Sequence, residues 1–208
     1  MIIDQARFNQ AFARIDAANA EDPNHEAADG SEYPKELLYA HRMSAMLARF
    51  TTDASEALQL AVRAQHIQRW KIPRSEYPMT RAGYHQWRIR LRDFHAEIAS
   101  RLLKETGYDD ETIARVGSLL RKQHLRQDAE AQTLEDVSVL VFLESYLEDF
   151  VRTHSGYDEA KLIDILRKSL RKMSSWGQEA ALTMIKLPPS LLPTIEKAVQ
   201  GIGPASDS

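Results

Sequence analysis

Apolar residues recur at intervals of three and four along most of this chain, and alternating runs of valine, isoleucine and threonine are hard to find. In residues 4–19, for example, Phe8, Phe12 and Ile15 fall on one side of a helix. Such spacing is typical of an amphipathic helix, whereas a half-buried strand alternates with a period of two. The pattern therefore predicts an all-α protein of about nine helices.

The segments between the apolar patterns are rich in proline, glycine and polar residues, which predicts loops. We expect loops over residues 21–33, 70–80 and 127–133. The predicted helices cover residues 34–50, 53–69 and 81–105, a segment capped by Asp109 or Asp110, residues 137–151, and three further segments after residue 157. Residues 137–151 are apolar on nearly every side and are expected to form the central core helix.

The length of 208 residues is enough for one self-sufficient core, and no repeat or linker divides the chain. We expect a single helical domain over residues 1–200, with extra C-terminal helices packed on it, and a loose tail over residues 201–208. The start of the chain lacks the basic and apolar regions of a leader peptide, and no apolar run approaches the ~20 residues of a membrane span. These features predict a cytoplasmic protein with no membrane partner.

Residues 63–92 combine many cations with aromatic rings, although the formal charge of the whole chain is -3. The cations of this basic stretch are Arg63, Arg69, Lys71, Arg74, Arg81, Arg88, Arg90 and Arg92. Its only acid is Glu76, so few local partners exist, and a guanidinium fork suits phosphate or carboxylate. We therefore expect a small anionic substrate, bound by Arg69, Lys71, Arg74, Tyr84, Trp87, Arg88 and Lys122.

The aromatic residues leave two alternatives open. Tyr84 and Trp87 would stack on a planar base or ring, or Trp87 would instead pack the loop against the domain. Single-stranded RNA is bound by similar residue types, so RNA is a possible partner. Acidic segments at residues 109–111 and 144–149 favour a compact site for a small molecule over a long RNA track.

Four histidines and one aspartate, each on a different predicted helix, are candidates for a polar or metal site. They are His41, His66, His95, His124 and Asp136. The chain has no cysteine, so any metal must be held by imidazole and carboxylate, which suit zinc, manganese, iron or nickel. The alternative is that these histidines are buried side chains whose hydrogen bonds are satisfied without a ligand.

Two short segments in this order resemble a known superfamily. Residues 61–67 (AVRAQHI) and residues 133–137 (TLEDV) resemble the metal-binding helices of the HD superfamily of metal-dependent phosphohydrolases. The resemblance implies an HD-like helical core in which one or two divalent cations are held by His41, His66, His95, Asp136 and His124. In a hydrolase of this type, Glu135 would act as base or order the metal-bound water, and Arg69 would neutralise substrate charge. Ile67 stands where the superfamily has its paired aspartate, so Glu135 or Glu36 would have to supply that carboxylate.

Several short strings spread along the chain also resemble a more specific family, catalogued as domain of unknown function 4202. They lie at residues 63–66 (RAQH), 69–70, 72–74, 77–78, 83–84, 87–88, 132–136 and 141–143. This resemblance covers nearly the whole chain, and it brings no established activity.

These features lead to three functional hypotheses. The first is a metal-dependent hydrolase of HD type that acts on a small anionic substrate, a phosphate ester or nucleotide-like molecule, with the cation lowering the pKa of a bound water. The second is a degenerate HD-like module that binds an anionic metabolite or RNA without catalysis, which Ile67 favours. The third is an HD-type iron oxygenase.

Overall fold

The computed structural model describes residues 4–200, and within them the chain forms ten α-helices and one two-stranded hairpin. The expectation of a mostly helical protein is confirmed, with ten helices in place of about nine. No helix in this range is long and apolar enough to cross a bilayer. The packing divides the chain into two compact units, residues 1–131 and residues 132–208. The single domain over residues 1–200 stays a prediction, and the tail over residues 201–208 lies outside the described range.

The first unit contains five complete helices. They are α1 (Gln5–Ala20), α2 (Lys35–Phe50), α3 (Glu56–Arg63), α4 (Arg81–Glu105) and α5 (Asp110–Arg121). Helix α5 packs on α3 and α4, while α2 packs on α1 and α3. Their facing sides bury Ile15, Met43, Leu60, Leu103 and Leu119 almost completely. The apolar positions at helical spacing thus form the core that supports the site.

The predicted loop over residues 21–33 is wrong in part, because it contains strands β1 (His25–Ala28) and β2 (Ser31–Pro34). The two strands pair antiparallel across a two-residue turn in which Asp29 and Gly30 both have positive φ, 49° and 77°. A turn of this kind matches the twist of a hairpin, and Asp-Gly is one of its preferred sequences. The hairpin leads directly into α2.

The helix predicted over residues 53–69 is shorter than expected. Ser55, rather than Thr52 or Asp53, caps α3 by accepting the backbone N–H of Leu58, and the helix ends at Arg63. Residues 64–80 form tight turns that include two 3₁₀ segments, Arg69–Lys71 and Arg74–Glu76. His66 therefore lies in a turn and not near the end of a helix.

The second unit continues from α6 (Ala129–Val141), which crosses the boundary between the units. A π-helical turn, Phe142–Tyr146, leads into α7 (Leu147–Thr153), so the single helix predicted over residues 137–151 is interrupted. The remaining helices are α8 (Glu159–Leu170), α9 (Ser175–Thr183) and α10 (Leu192–Gln200), and α8 packs on α10. The predicted loop over residues 127–133 is too long, because Asp128 accepts the N–H groups of Glu130 and Ala131 and starts α6 there.

Candidate anion-binding site

The turn that follows α3 carries His66 and Arg69 and is fixed to the end of α1. Gln68 adopts a left-handed conformation (φ 52°), and its backbone N–H donates to Asn19 Oδ1 over 3.0 Å. The side chain of Ile67 is completely buried on the core side of the same turn. The turn therefore holds His66 and Arg69 in a defined position, although neither belongs to an α-helix.

Both ring nitrogens of His66 face a charged or ionisable group. Arg69 Nη1 lies 3.1 Å from His66 Nε2, and Glu36 Oε2 lies 3.4 Å from His66 Nδ1. Since a guanidinium only donates, Nε2 must accept, and we assign the proton of the neutral ring to Nδ1. The ring of Tyr39, one turn after Glu36 on α2, stacks on the imidazole with centroids 4.0 Å apart. Helix α2 thus supplies both a carboxyl group and a stacking face.

Burial dominates the ionisation of this group of side chains. It raises the pKa of Glu36 to about 7, although the nearby charge of Arg69 acts in the opposite direction. Burial, followed by the positive charge of Arg69, holds the pKa of His66 well below its usual value. Near neutral pH, His66 is therefore an uncharged imidazole and Glu36 is partly protonated. The guanidinium of Arg69 lacks a fully charged partner under these conditions.

His95, on α4, completes the interior of the site. Its ring lies 6.0 Å from the ring of His66, and its Nδ1 lies 2.8 Å from the backbone carbonyl oxygen of Ile67. A carbonyl only accepts, so Nδ1 carries the proton and Nε2 carries a lone pair. Burial lowers the pKa of His95 to about 3. Among the described residues, no donor reaches His95 Nε2.

Two further cations lie close enough to influence these histidines. Arg88 and Lys122 are half-buried, and the charge of each lowers the pKa of His66. Within residues 4–200, no carboxylate forms an ion pair with Arg88. Arg69 stacks over the ring of Trp87 with its guanidinium carbon 4.8 Å from the ring centroid. The site therefore has more positive than negative charge, and we call it the His66 cluster: Glu36, Tyr39, His66, Arg69, Arg88 and His95.

Other residues of the basic stretch have structural partners. Arg74 donates to the carbonyl oxygens of Tyr77 and Pro78 at 2.9 and 2.7 Å, which ties the second 3₁₀ segment to the loop that follows it. Trp87 is buried and donates its indole N–H to the carbonyl of Ile72. This ring therefore packs the loop against the domain, which was the second of the two alternatives for Trp87. Tyr84 is 45% exposed.

The expectation that acids are too few to pair these cations holds only locally. Arg63 forms a bidentate pair with Asp16 of α1, at 2.7 and 2.6 Å. Arg90 forms an ion pair with Glu97, which lies two turns further along α4. Lys71 lies 3.9 Å from Glu21. All three acidic partners lie outside residues 63–92. Within the basic stretch, Arg69 and Arg88 are the cations whose charges lower the pKa of both His66 and His95.

Two of the predicted metal ligands lie apart from the His66 cluster on the surface of the first unit. His41 is 48% exposed, and its Nε2 lies 3.6 Å from Asp16 Oδ2. Burial, and then the charge of Arg63, lower the pKa of His41. His124 is exposed in the turn after α5, where its own φ is 54°. Within residues 4–200, neither side chain forms a hydrogen bond, ion pair or ring contact with His66 or His95.

Asp136 and Glu135 lie on α6 within the second unit, both buried. The oxygens of Asp136 accept from Ser174 Oγ at 2.5 Å, from the Ser174 backbone N–H at 2.9 Å and from Gln132 Nε2 at 2.9 Å. Burial raises the pKa of Asp136, and the hydrogen bonds from Ser174 counteract part of this effect. A Cβ added to Gly177 would lie 2.7 Å from the Asp136 carboxyl carbon. This carboxylate therefore anchors the start of α9.

The donor atoms do not fit an HD-type metal centre. Within the described part of the chain, no group of three or more histidine, aspartate or glutamate side chains is arranged to hold a metal ion. Arg69 donates a hydrogen bond to His66 Nε2, and Ser174 and Gln132 donate hydrogen bonds to the Asp136 carboxylate. The side chain of Ile67 has no atom that can bind a metal. Metal binding by the five predicted ligands stays a prediction, and the function proposed below contains no metal step.

Tyr39 and Asp22 were not identified from the sequence. Asp22 is buried and accepts the backbone N–H of Glu36 at 3.1 Å, which fixes the start of α2 beside the site. Tyr39 could have been found by its spacing, because residues three apart share a helix face and Glu36 was already a candidate carboxylate. No comparable sequence signal identifies Asp22.

Comparison with known protein families identifies the family of this chain. No curated protein and no solved structure matches this chain. The sequence pattern of one family matches residues 9–195, from within α1 to within α10, and this range includes the whole His66 cluster. The chain therefore belongs to the family described as Domain of unknown function (DUF4202).

Proposed function

We propose that this protein binds a small anion, of the phosphate ester or nucleotide-like class, at the His66 cluster. The observation that carries the proposal is the presence of two half-buried guanidiniums near uncharged imidazoles. Arg69 lies 3.1 Å from His66, and the charge of Arg88 lowers the pKa of both His66 and His95. The only carboxyl group in the cluster is Glu36, whose pKa of about 7 leaves it partly neutral. The two positive charges of Arg69 and Arg88 are therefore balanced by less than one negative charge from the cluster.

Electrostatics explain why an anion would bind there. Removing a guanidinium from water is costly unless a counter-charge and hydrogen bonds replace the solvent. Burial lowers the pKa of Arg69; the charge of Glu36 counteracts part of this effect, and the charge of Arg88 adds to it. A phosphate group would supply the missing charge and accept charge-assisted hydrogen bonds from both arginines. His66 is 20% exposed, so the cluster has an edge in contact with solvent.

A hydrolytic reaction without a metal is a second candidate, supported by Glu36. A general acid or base works best when its pKa is near the operating pH, and burial gives Glu36 a pKa of about 7. Its Oε2 lies 3.4 Å from the Nδ1 of His66. The Glu36 carboxylate would take a proton from an attacking water beside this ring, and the resulting carboxylic acid would give that proton to the leaving oxygen as the phosphorus–oxygen ester bond breaks. If so, Glu36→Gln would abolish phosphate ester hydrolysis and retain binding. The HD-type metal hydrolase with Glu135 as base, the iron oxygenase and RNA binding stay predictions from the sequence.

Calorimetric titration with inorganic phosphate, phosphate monoesters, mononucleotides and short RNAs tests the proposal. We expect Arg88→Gln to weaken binding by about tenfold to a hundredfold, because one charge-assisted hydrogen bond is lost. Arg101→Gln is the matched control, since Arg101 is an exposed arginine on the same helix α4, and its binding should equal that of the wild type. Absence of binding across the panel, or equal losses in the two variants, would contradict the proposal.

Elemental analysis of protein purified without a metal-affinity step tests whether the protein binds a transition metal. The hydrogen bond from Arg69 to His66 Nε2 leads us to expect no stoichiometric zinc, manganese, iron or nickel. Stoichiometric metal that disappears in His66→Ala would contradict this expectation and favour the HD-type hydrolase.

A further inference from the structure

His95 presents an unsatisfied hydrogen-bond acceptor inside the His66 cluster. Its side chain is 3% exposed, its Nδ1 proton is directed to the carbonyl of Ile67, and its Nε2 has no partner within residues 4–200. A buried acceptor without a donor is costly, and the great majority of buried polar atoms in proteins are satisfied. A bound ligand is one source of the missing donor.

The protein itself limits how this lone pair can be satisfied. The nearest ring, His66, carries its proton on Nδ1, which faces Glu36, and its Nε2 already accepts from Arg69. Protonation of His95 is disfavoured by burial and by the charges of Arg69 and Arg88. The cluster thus combines cationic donors with a neutral acceptor that cannot readily become a donor.

We propose that the ligand of the His66 cluster is a phosphate-type anion that keeps an O–H group and donates it to His95 Nε2, and that the site discriminates against oxyanions without one. This inference rests on the proposed anion-binding function and specifies its ligand. Hydrogen phosphate meets the requirement, and so does a phosphate ester with an acidic proton or a neighbouring hydroxyl group.

Inorganic phosphate and sulfate are a suitable pair of probes. Both are tetrahedral oxyanions, so both can accept hydrogen bonds from Arg69 and Arg88. Sulfate has no proton to donate at neutral pH and would place an oxygen lone pair against the lone pair of His95. A site built to hydrogen-bond a donor rejects an analogue that lacks it, because its own polar group is then left unpaired.

The first test is calorimetric titration of the wild-type protein with phosphate and with sulfate at matched ionic strength. We expect phosphate to bind about ten to a hundred times more tightly than sulfate, in line with the cost of one unsatisfied buried acceptor. Equal affinities that both fall in Arg88→Gln would overturn this inference while leaving the proposed function in place. Absence of binding for both anions would overturn the inference and the proposed function together.

The second test is His95→Asn, which separates the two nitrogens of the ring. The asparagine amide nitrogen occupies the position of Nδ1 and can keep the donation to the Ile67 carbonyl, but no atom replaces Nε2. We expect phosphate affinity to fall, because its O–H group loses its acceptor, and sulfate affinity to rise, because the repulsion from the Nε2 lone pair is lost. The two affinities should therefore converge. His95→Gln, which places an amide oxygen near the position of Nε2, should recover part of the preference. A preference that survives in folded His95→Asn would overturn the inference, and the wild-type comparison decides the matter if that variant does not fold.

Discussion

Glu36 and His95 hold opposite protonation states for the same physical reason. Burial penalises the charged form of each group, so the pKa of the carboxyl rises to about 7 and the pKa of the imidazole falls to about 3. Both groups are therefore mostly uncharged under mildly acidic conditions, and Arg69 and Arg88 provide the charge of the cluster. A carboxylate at full charge would instead compete with an anionic ligand for these arginines.

Substitution of Glu36 should change how stability depends on pH. The folded pKa of about 7 exceeds the ordinary value of 4.5, so the contribution of Glu36 to stability is present below pH 4.5 and is lost as the pH rises through 7. Relative to Glu36→Gln, the wild type should lose about 2 kcal/mol of unfolding free energy between about pH 5 and about pH 8. The groups that act on this carboxyl are Arg69, Asp22, Lys35, Glu26 and His66.

Urea denaturation of both proteins at the two pH values measures this difference. Glu32→Gln serves as a control, because Glu32 is an exposed glutamate on strand β2 of the same unit. A difference between wild type and Glu36→Gln that is constant with pH would show that Glu36 titrates normally.

At the residue scale, only some neighbours in the His66 cluster could be predicted from the sequence. His66 was a candidate metal ligand and Arg69 a candidate anion-binding residue, and the structure brings these two side chains within 3.1 Å of each other. The packing role of Arg63 could not be predicted, since its partner Asp16 lies 47 positions away in the chain. Asp136 was assigned to the site by resemblance, whereas its observed hydrogen bonds are to Gln132 and Ser174 of its own unit.

At the scale of elements, the start of α4 depends on the absence of a side chain at Gly83. A Cβ added there would lie 2.2 Å from the carbonyl oxygen of Pro78, which also accepts from Arg74. We expect Gly83→Ala to lower the unfolding free energy by about 1–3 kcal/mol, as in other overpacked positions. Gly156→Ala is the matched control, because nothing lies within 4 Å of its added Cβ. Equal stability of the two variants in urea denaturation would refute this account of the turn.

The start of α9 should be unusually sensitive to loss of its capping side chain. Ser174 accepts the N–H of Gly177 and also donates to buried Asp136. Ser174→Ala should therefore cost about 3 kcal/mol, the sum of a cap and a hydrogen bond to a buried carboxylate. Ser55→Ala removes only a cap, that of α3, and should cost about 1 kcal/mol. Chemical denaturation distinguishes the two, and similar losses would mean that the contact with Asp136 contributes little.

Local signals explain which elements were predicted well and which were not. The predicted helix over residues 81–105 has the bounds of α4, because the proline-containing loop predicted over residues 70–80 is followed by a long helical pattern. The hairpin was missed because its strands are short and polar, although the Asp29-Gly30 pair is a recognised turn signal. The early end of α3 could not be predicted from residues 64–69 alone. The turn there is accompanied by a hydrogen bond from the Gln68 backbone N–H to Asn19, a residue distant in the sequence.

At the scale of the whole molecule, ligand binding should protect one unit selectively. Every member of the His66 cluster lies within residues 1–131, whereas Glu135 and Asp136 lie in the second unit. Hydrogen exchange with and without phosphate should therefore show slower exchange in α2, the turn at residues 64–69 and α4. Exchange in α6 to α9 should be unchanged. Strong protection around Asp136 would instead indicate a site shared by both units, as the HD resemblance implies.

The hydrogen bond between Asn19 and Gln68 has a consequence for any attempt to transfer this site. Residues 63–74 contain three of the strings that resemble the family. An isolated peptide of that sequence would nevertheless lack the Asn19 amide oxygen that accepts the Gln68 N–H. Grafting the string onto another helical scaffold would meet the same difficulty. A transplanted site would need the last turn of α1 as well, because the orientation of the imidazole and the guanidinium is specified by a residue 49 positions earlier.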